Sequence, residues 1–481
     1  MSNALYYGDN LAVLRESIAS ESIDLIYLDP PFNSNASYNV LFKAPTGEQS
    51  QAQIEAFEDT WHWNIHAEQA FDETIKSGNT DAAELLRAMR AALGDNDMTA
   101  YLAMMAIRLI ELHRVLKPSG SLYLHCDPTA SHYLKIVMDA VFEGKNFLNE
   151  LIWYYRGAGV PKDRRAKRHD VLLVYAKKEG LHYFNPDPIR RPYAEATVER
   201  FSHYIGNVRG GVDFGVQTLN PLGKHPDDVI TNIQPIAPSA RDRLGYPTQK
   251  PLELLEEVLN GSSKEGEIVL DPFCGCGTTV HAAQKLKRKW IGIDITHLAI
   301  GLIERRVKDA FPEAEFEVHG TPKDFAGAEN LALRDKYQFQ WWAVTLINAV
   351  PYGGKKKGAD SGIDGYYYCK PDGKKTEAGI VSVKGGETVH RNAVGELRGV
   401  VERDKAPLGV LITLRDPTGP MKAEAASAGF LETPFGKFQR LQVVTVGDLL
   451  EGKLPKLPPQ EIGGGYKLAP KEATGKQDKL I

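Results

Sequence analysis

The chain has 481 residues, with 58 Lys and Arg, 62 Asp and Glu and a formal net charge of −4. Because this length exceeds what one hydrophobic core usually supports, we expect two or three domains. The slightly acidic charge excludes general binding of nucleic acid over the whole surface, so such a partner requires a local basic patch.

The composition also limits the cellular setting. The apolar runs are too short to span a membrane, and no signal peptide precedes the first predicted strand. The four cysteines lack the spacing of a zinc site, which is typical of a reducing compartment. We therefore expect a cytoplasmic protein without a membrane partner.

The first half of the chain alternates between strand and helix patterns. A short strand, a turn at Gly8-Asp9-Asn10 and a helix lead into the apolar strand that ends in LDPPFN. An amphipathic helix near Asp81–Leu93, the helix AYLAMMAIRLIELHRVL, the strand SLYLHCD and the helix SHYLKIVMDAVF come next, followed by the strands NELIWYYR and DVLLVYAKK. This alternation predicts an α/β fold with a largely parallel, doubly wound, Rossmann-like sheet.

The pattern stops at residues 178–243, which are rich in Pro, Gly, Arg and Tyr and predict an inserted, loop-rich region. It resumes with the helix TQKPLELLEEVLNGSS, the segment EIVLDPFCGCGTTVHAAQKL and the strand KWIGIDI. We predict a first domain over 1–311, a linker over 312–330, a second α/β domain over 331–455 and a flexible tail over 456–481.

Two strand ends carry candidate chemistry. The strand LIYL is followed by Asp29, Pro30, Pro31 and Phe32, and by itself this segment is equally consistent with a strand-terminating turn. In DPFCGCGTT, glycines after Asp271 let a ligand approach the backbone at a helix N-terminus. The next strand ends in Asp294, where doubly wound folds place the acid that holds a ribose diol. Gly-x-Gly-x-x-Gly and Gly-Lys-Ser/Thr are absent, which disfavours a nicotinamide or phosphate loop.

Four segments together resemble the amino-directed DNA methyltransferases. DPFCGCGTT resembles their S-adenosylmethionine loop, YPTQKPLELLEEVL the segment around the methionine, YYGDNLAVL the strand and turn near the adenine, and LDPPF the catalytic motif. The catalytic motif precedes the cofactor loop, which resembles the permuted beta class with a target-recognition region between the two halves. The resemblance implies that the cofactor is bound by Asp9, Asn10, Lys250, Pro251, Asp271, Pro272, Phe273, Cys274, Gly275, Gly277, Thr278 and Asp294.

The resemblance also implies a reaction, the methylation of the N6 amine of adenine in double-stranded DNA within a restriction-modification system. Asp29 and the Pro30 carbonyl would accept the two amine hydrogens, Pro31 would stiffen the turn, and Phe32 would stack on a flipped base. Cytosine N4 stays open, because family members with Asp in this motif are mostly, but not all, adenine enzymes. An RNA or protein amide methyltransferase is a rival that the permuted order and long insertion disfavour.

A basic segment lies between the strands NELIWYYR and DVLLVYAKK. It contains six cations, which we predict to contact DNA phosphates, with a solvated loop as the alternative. They are Arg156, Lys162, Arg164, Arg165, Lys167 and Arg168.

The second domain resembles restriction endonucleases of the Mrr type, with Asp364 and Lys384 at the positions of a Mg²⁺-dependent site. Ser382 occupies the position of the second acid, and Glu396 is the other candidate donor. The sequence therefore favours a degenerate domain kept for DNA binding or for a homodimer, and it leaves a bifunctional enzyme or a self-contained nuclease as alternatives.

Overall fold

The computed structural model describes residues 2–31, 37–43, 49–58, 62–157, 159–202, 206–209, 212–216, 218–237, 240, 249–352, 362–460 and 472. Phe32, which was predicted to stack on the target base, lies outside this set, and so does most of the tail predicted over 456–481.

The first domain is built on strands joined mostly by helices. Its strands are β1 (Ala4–Tyr7), β2 (Ile23–Leu28), β3 (Ser37–Lys43), β4 (Gln49–Glu58), β5 (Leu116–Cys126), β6 (Phe147–Tyr154), β7 (His169–Ala176), β8 (Gly206–Arg209), β9 (Val212–Val216), β10 (Val229–Ile230), β11 (Ile268–Asp271), β12 (Lys289–Asp294) and β13 (Glu317–His319). Its helices are α1 (Asn10–Ser17), α2 (Ile65–Lys76), α3 (Thr80–Leu93), α4 (Asp97–Val115), α5 (Ser131–Phe142), α6 (Glu195–Ser202), α7 (Leu252–Ser262), α8 (Thr278–Lys285) and α9 (His297–Ala310).

Nine of these strands form one sheet in the order β10-β6-β7-β5-β2-β11-β12-β1-β13. Within the described residues β7 alone runs antiparallel to its neighbours, so the predicted, largely parallel sheet is confirmed. Helices α1, α3, α4 and α5 pack on one face and α7, α8 and α9 on the other. The sheet is therefore buried on both sides, which explains why the sequences of its central strands are continuous apolar runs.

A buried carboxylate fixes the start of β2. Asp24 accepts hydrogen bonds from Lys117 Nζ at 2.7 Å and from the backbone N–H of Ile268 at 2.9 Å. These contacts join β2 to its neighbours β5 and β11 at the edge of the sheet opposite the motif Asp29-Pro30-Pro31. The charge of Asp24 is thus compensated by a cation and by a backbone donor, as a buried acid requires.

The second domain has its own five-stranded sheet in the order β14-β15-β16-β17-β20. Its strands are β14 (Val350–Pro351), β15 (Gly365–Cys369), β16 (Glu377–Lys384), β17 (Gly409–Thr413), β18 (Phe430–Thr433), β19 (Gly436–Gln439) and β20 (Leu441–Thr445), and its helices are α10 (Phe325–Arg334), α11 (Lys336–Thr345), α12 (Asn392–Arg403), α13 (Gly419–Ser427) and α14 (Val446–Leu450). Helices α10 and α11 cover one face, and α12 and α13 cover the other.

Two segments differ from the sequence-based expectation. The predicted linker, 312–330, contains β13, which pairs with β1 as the ninth strand of the large sheet, and the start of α10. The insertion at 178–243 contributes β10, which pairs with β6 at the other end of the same sheet. Both strands are very short, and each exists because a neighbouring strand offers it an unpaired edge.

The two domains meet along an apolar seam. Cys276, Leu298 and Leu302 of the first domain form one buried cluster with Trp341, Val350 and Tyr368 of the second. The imidazole of His297 stacks on the ring of Tyr7 with 3.6 Å between ring centroids, and the backbone N–H of His297 donates to Gln338 Oε1. Among the helices that the structure describes, none is long and apolar enough to cross a membrane.

Candidate active site

Four acidic positions meet at one edge of the large sheet. Strands β2, β11, β12 and β1 are parallel, and each is followed or ended by one of the acids Asp29, Asp271, Asp294 and Asp9. Because carboxyl ends of parallel strands share one edge, their side chains face a common space, which is where open α/β sheets bind ligands.

This space is a single cavity. Most of the residues predicted to hold the cofactor line it, together with Asp29 and Pro31 of the predicted catalytic motif. The predicted residues on its wall are Asp9, Asn10, Lys250, Asp271, Pro272, Phe273, Cys274, Gly275, Thr278 and Asp294. Of the predicted residues that the structure describes, Pro30, Pro251 and Gly277 are next to wall residues along the chain but are not part of the wall.

The glycine-rich turn is shaped by two residues with left-handed backbone, Gly275 at φ 49° and Gly277 at φ 73°. A Cβ at Gly277 would lie only 2.7 Å from Ile303 Cγ1 on α9, so both conformation and space require glycine there. The Gly275 N–H donates to Asp294 Oδ2 at 2.9 Å, which ties the turn to the end of β12.

Two of the acids are held in an environment that opposes their charge. Burial raises the pKa of Asp271 to about 7, although the Thr279 side chain and the Phe273 N–H lower it through hydrogen bonds. Burial likewise raises the pKa of Asp294 to about 6, against N–H and hydroxyl donors from Thr296. A cationic or hydroxyl-bearing ligand would relieve this cost, so the cavity is prepared for such groups.

The acid at the N-terminal turn is organised by an arginine from α4. Arg108 donates to Asp9 Oδ1 at 2.7 Å and to Asn10 Oδ1 at 2.6 Å. Asn10 Nδ2 in turn donates to the Pro272 carbonyl at 2.8 Å, so the N-terminal turn is hydrogen-bonded to the glycine-rich turn. The two parts of the wall, which are more than 250 residues apart in sequence, are thereby held as one unit.

The predicted catalytic acid is paired with a lysine. Lys250 Nζ lies 2.5 Å from Asp29 Oδ2, and the side chains are only 11% and 15% exposed. Asp29 itself follows the last residue of β2 directly, and Pro30 behind it is buried. A partly buried ion pair at the strand end fixes the direction of the Asp29 carboxylate, which has further lone pairs to accept hydrogen bonds.

The predicted site residues of the second domain, Asp364 and Lys384, lie just before β15 and at the end of β16. Asp364 Oδ2 accepts from the Val383 N–H at 2.6 Å and from Ser382 Oγ at 3.2 Å, just before β15. Lys384 instead lines a cleft beside Glu396, with 4.0 Å between Nζ and Oε2. The described part of the chain contains no group of three or more Asp, Glu, His or Cys side chains placed to hold a metal ion. Ser382 occupies the predicted position of the second acid, and its hydroxyl is a weaker ligand for Mg²⁺ than a carboxylate.

Comparison with known proteins agrees with the first domain's geometry. A sequence model of the family described as DNA methylase matches residues 23–305, more than half of the chain. The chain belongs to the DNA methylase family. A model described as restriction endonuclease matches residues 334–432 of the second domain.

Three relatives illustrate this membership. The type II methyltransferase M.EcaI of Enterobacter cloacae is 26% identical over 361 residues, covering 64% of this chain and 69% of that protein. M.HpaI of Haemophilus parainfluenzae is 32% identical over 204 residues, covering 42% and 58%. The DNA adenine methyltransferase YhdJ of Escherichia coli K12 is 25% identical over 338 residues, covering 70% and 92%. The match with M.HpaI thus spans less than two thirds of that relative.

In this DNA methylase, the basic segment lies at the same edge of the sheet as the cavity. It connects the end of β6 to the start of β7, where Tyr154 pairs with His169. Arg156, Lys162, Arg164, Arg165 and Lys167 are exposed, and Arg168 is half-buried with Nη2 donating to the Gly159 carbonyl. Arg164 is paired with its neighbour Asp163 at 2.7 Å. The other exposed cations, Arg156, Lys162, Arg165 and Lys167, lie on the same connection.

Sequence reasoning missed several wall residues, among them Arg108 and Tyr27, which make side-chain hydrogen bonds at the site. Arg108 carried a usable signal, because it is an arginine inside the otherwise apolar run AYLAMMAIRLI, where a charge needs a partner. Tyr27 gave none, since an aromatic residue in a buried strand is normally part of a core.

The raised pKa of Asp271 predicts a pH-dependent stability. Folding favours its protonated form, so this contribution is fully present at low pH and is lost as the pH rises through about 7. We expect Asp271→Asn to stabilise the ligand-free protein at pH 8 by roughly 2–4 kcal/mol and to have little effect at pH 4. Thermal unfolding at both pH values measures this difference. Asp72→Asn, at a solvent-exposed acid on α2, is the control, and an equal effect of Asp271→Asn at both pH values would contradict the cause given.

Proposed function

We propose that this protein methylates the N6 amine of adenine in double-stranded DNA, with S-adenosylmethionine as the methyl donor. The observation that carries the proposal is the single cavity that joins Asp29 of the catalytic motif to Asp9, Asp271 and Asp294. The resemblance of these four segments to amino-directed methyltransferases, and the similarity to a protein named DNA adenine methyltransferase, support adenine over cytosine. The proposed setting is a restriction-modification system in the cytoplasm, because two of the relatives are named type II methyltransferases.

The residues present fit the cofactor. Asp271 is a buried acid suited to the ammonium of the methionine part, Asp294 to the ribose hydroxyls, and Asp9 to the adenine amine. When bound, the cofactor supplies an electrophilic methyl group on a cationic sulfur. The three acids orient it from separate strand ends, so its position is fixed by the rigid sheet rather than by a loop.

The chain's own contribution to methyl transfer is made at the end of β2. The amine of adenine is a poor nucleophile, because its lone pair is delocalised into the ring. Asp29 and the Pro30 carbonyl accept its two hydrogens and favour a pyramidal nitrogen whose lone pair is available for attack. Both acceptors belong to a strand end stiffened by two prolines, so little reorganisation is needed during the reaction. The base must leave the duplex to reach them.

Loss of Asp29 tests the central assignment. We expect Asp29→Ala to lower the rate of methyl transfer at least about a hundredfold while S-adenosylmethionine still binds, because one acceptor for the amine is removed. Transfer of labelled methyl groups, followed by chromatography of the digested nucleosides, measures both rate and product. Asp139→Asn, at an acid on α5 remote from the cavity, should keep the wild-type rate. Undiminished transfer by Asp29→Ala would refute the assignment, and N4-methylcytosine as the product would refute only the choice of base.

We further propose that the segment between β6 and β7 binds the DNA backbone. We expect the triple variant Lys162→Ala, Arg165→Ala, Lys167→Ala to bind DNA more weakly. The slope of log Kd against log salt should fall by about 2–3, because the variant makes fewer phosphate contacts and its binding therefore releases fewer counterions. Fluorescence anisotropy at several salt concentrations measures this. The matched control is the triple variant Lys264→Ala, Lys287→Ala, Lys289→Ala, whose lysines are exposed at the opposite edge of the sheet. Equal losses in the two triple variants would argue against a directed DNA surface.

For the second domain we propose a role without Mg²⁺-dependent cleavage, since Ser382 replaces an acid and Asp364 already accepts hydrogen bonds from β16. This role, DNA binding or contact within a homodimer, does not require cleavage whether the protein is a monomer or a homodimer. We expect no cutting of unmethylated supercoiled DNA in the presence of Mg²⁺, and an unchanged methylation rate in Lys384→Ala. Gel electrophoresis of the plasmid and the methylation assay check the two expectations. Mg²⁺-dependent nicking that disappears in both Lys384→Ala and Glu396→Gln would establish a second active site.

A further inference from the structure

A chain of buried hydrogen bonds lies behind the catalytic strand. Tyr27 Oη lies 2.7 Å from His125 Nδ1, and His125 Nε2 lies 3.2 Å from Asp170 Oδ2. Tyr27 and His125 are 1% and 0% exposed, and each belongs to a different strand, β2 and β5, while Asp170 is near the start of β7. The chain therefore crosses three adjacent strands of the sheet at the edge that carries the cavity.

Asp170, the last acceptor in this series of hydrogen bonds, determines which group donates in each of them. An ionised Asp170 only accepts, and it also accepts from the Tyr155 hydroxyl at 3.0 Å. His125 must then carry its proton on Nε2 to donate to Asp170, which leaves Nδ1 as the acceptor for the Tyr27 hydroxyl. Replacing the carboxylate would remove the group that fixes the tautomer of His125.

The same acid acts on the catalytic ion pair. Burial raises the pKa of Asp170, but the hydrogen bond and charge of His125 and the charge of Lys250 outweigh it, so the pKa is lowered. Lys250 is the residue whose Nζ lies 2.5 Å from Asp29 Oδ2. Its ammonium is thus attracted by two carboxylates, Asp29 on one strand end and Asp170 on another.

Tyr27 links this chain to the reacting groups from the other side. It lies on β2 two residues before Asp29, which directly follows the strand, and residues two apart along extended backbone leave the same face of a sheet. Tyr27 lines the cavity together with Asp29 and Lys250, and its hydroxyl is held by His125. A rotation of Tyr27 would leave its buried hydroxyl without this partner, which opposes movement of the strand end.

We propose that Asp170, His125 and Tyr27 are positioning residues for methyl transfer. Asp170 and His125 hold Tyr27 in place on the cavity wall beside Asp29, so that the strand end presents Asp29 to the incoming amine in a fixed direction. Without the charge of Asp170 the tautomer of His125 is no longer fixed, and Tyr27 loses the acceptor that holds its buried hydroxyl. This inference rests on the proposed function, and it assigns to the three residues an effect on the rate of methyl transfer rather than on cofactor binding.

The test is Asp170→Asn, which keeps the shape of the side chain and removes its charge. The amide can donate to His125 Nε2 and so reverse the tautomer that Tyr27 requires. We expect the single-turnover rate constant to fall at least about tenfold, with the Kd values for S-adenosylmethionine and for DNA unchanged within about twofold. Asp139→Asn is the matched control, because Asp139 also accepts a tyrosine hydroxyl, that of Tyr175 at 2.7 Å, but on α5. It should retain the wild-type rate.

A second variant separates a positioning role from a merely structural one. Tyr27→Phe keeps the ring on the cavity wall and deletes only the hydroxyl, so it should also slow methyl transfer. Because both changes break one chain, the double variant Tyr27→Phe, Asp170→Asn should lose less than the product of the two single losses, whereas combination with Asp139→Asn should be multiplicative. Tyr27→Phe also provides the test if Asp170→Asn does not fold.

The outcomes distinguish this inference from the proposed function. A full rate constant in folded Asp170→Asn, or in Tyr27→Phe, would overturn the positioning role, even if either variant melts at a lower temperature. An equal loss in Asp139→Asn would overturn it as well. Failure of the proposed function would be recognised by a different result. Either Asp29→Ala would form methylated product at the wild-type rate, or the wild-type protein would form no methylated product under the same conditions.

Discussion

The parallel register of β2, β11, β12 and β1 is the constraint on which the site depends. It brings Asp29, Asp271 and Asp294 to one edge of the sheet, where their negative charges oppose one another at short range. A strand end cannot move away without breaking its ladder, so compensation must come from elsewhere. The cations come from elements outside the central strands, Arg108 from α4 and Lys250 from the segment before α7. The site is thus a set of acids on the sheet held by bases on the layers around it.

The four carboxylates differ in how their negative charge is compensated, and this difference has a chemical use. Asp29 and Asp9 have a cation within 2.7 Å, whereas Asp271 and Asp294 accept mainly N–H and hydroxyl donors and have raised pKa values. Burial of an acid with only neutral donors costs stability in the ligand-free state. The cost is recovered when a ligand brings positive charge or hydroxyl groups to the same place. Such a site trades stability for affinity, as functional sites commonly do.

The sequence predicts those features that depend on local pattern. Apolar periodicity identified α4 and α5, and acids followed by Pro or Gly marked the ends of β2 and β11, because turn chemistry there is local. It could not predict that Arg108 binds Asp9, since this depends on how α4 crosses the edge of the sheet. Nor could it predict β13, whose three residues show no pattern and are a strand only through pairing with β1. Sequence reasoning therefore missed contacts between segments that are far apart in the chain.

The seam between the domains gives a reason for the unusual aromatic content of α11. Phe339 and Trp342 are buried in the core of the second domain, so they account for only one face of the helix. Trp341 instead packs against Cys276 and Leu298 of the first domain. Burial with Arg334 nearby lowers the pKa of His297 to about 3, so a neutral imidazole stacks on Tyr7 at the same seam. Tyr7, Cys276 and His297 each lie on or directly beside the segments that form the cavity wall. The second domain is therefore packed against the back of the cavity, and a displacement of α11 would disturb the glycine-rich turn and the end of β12 together.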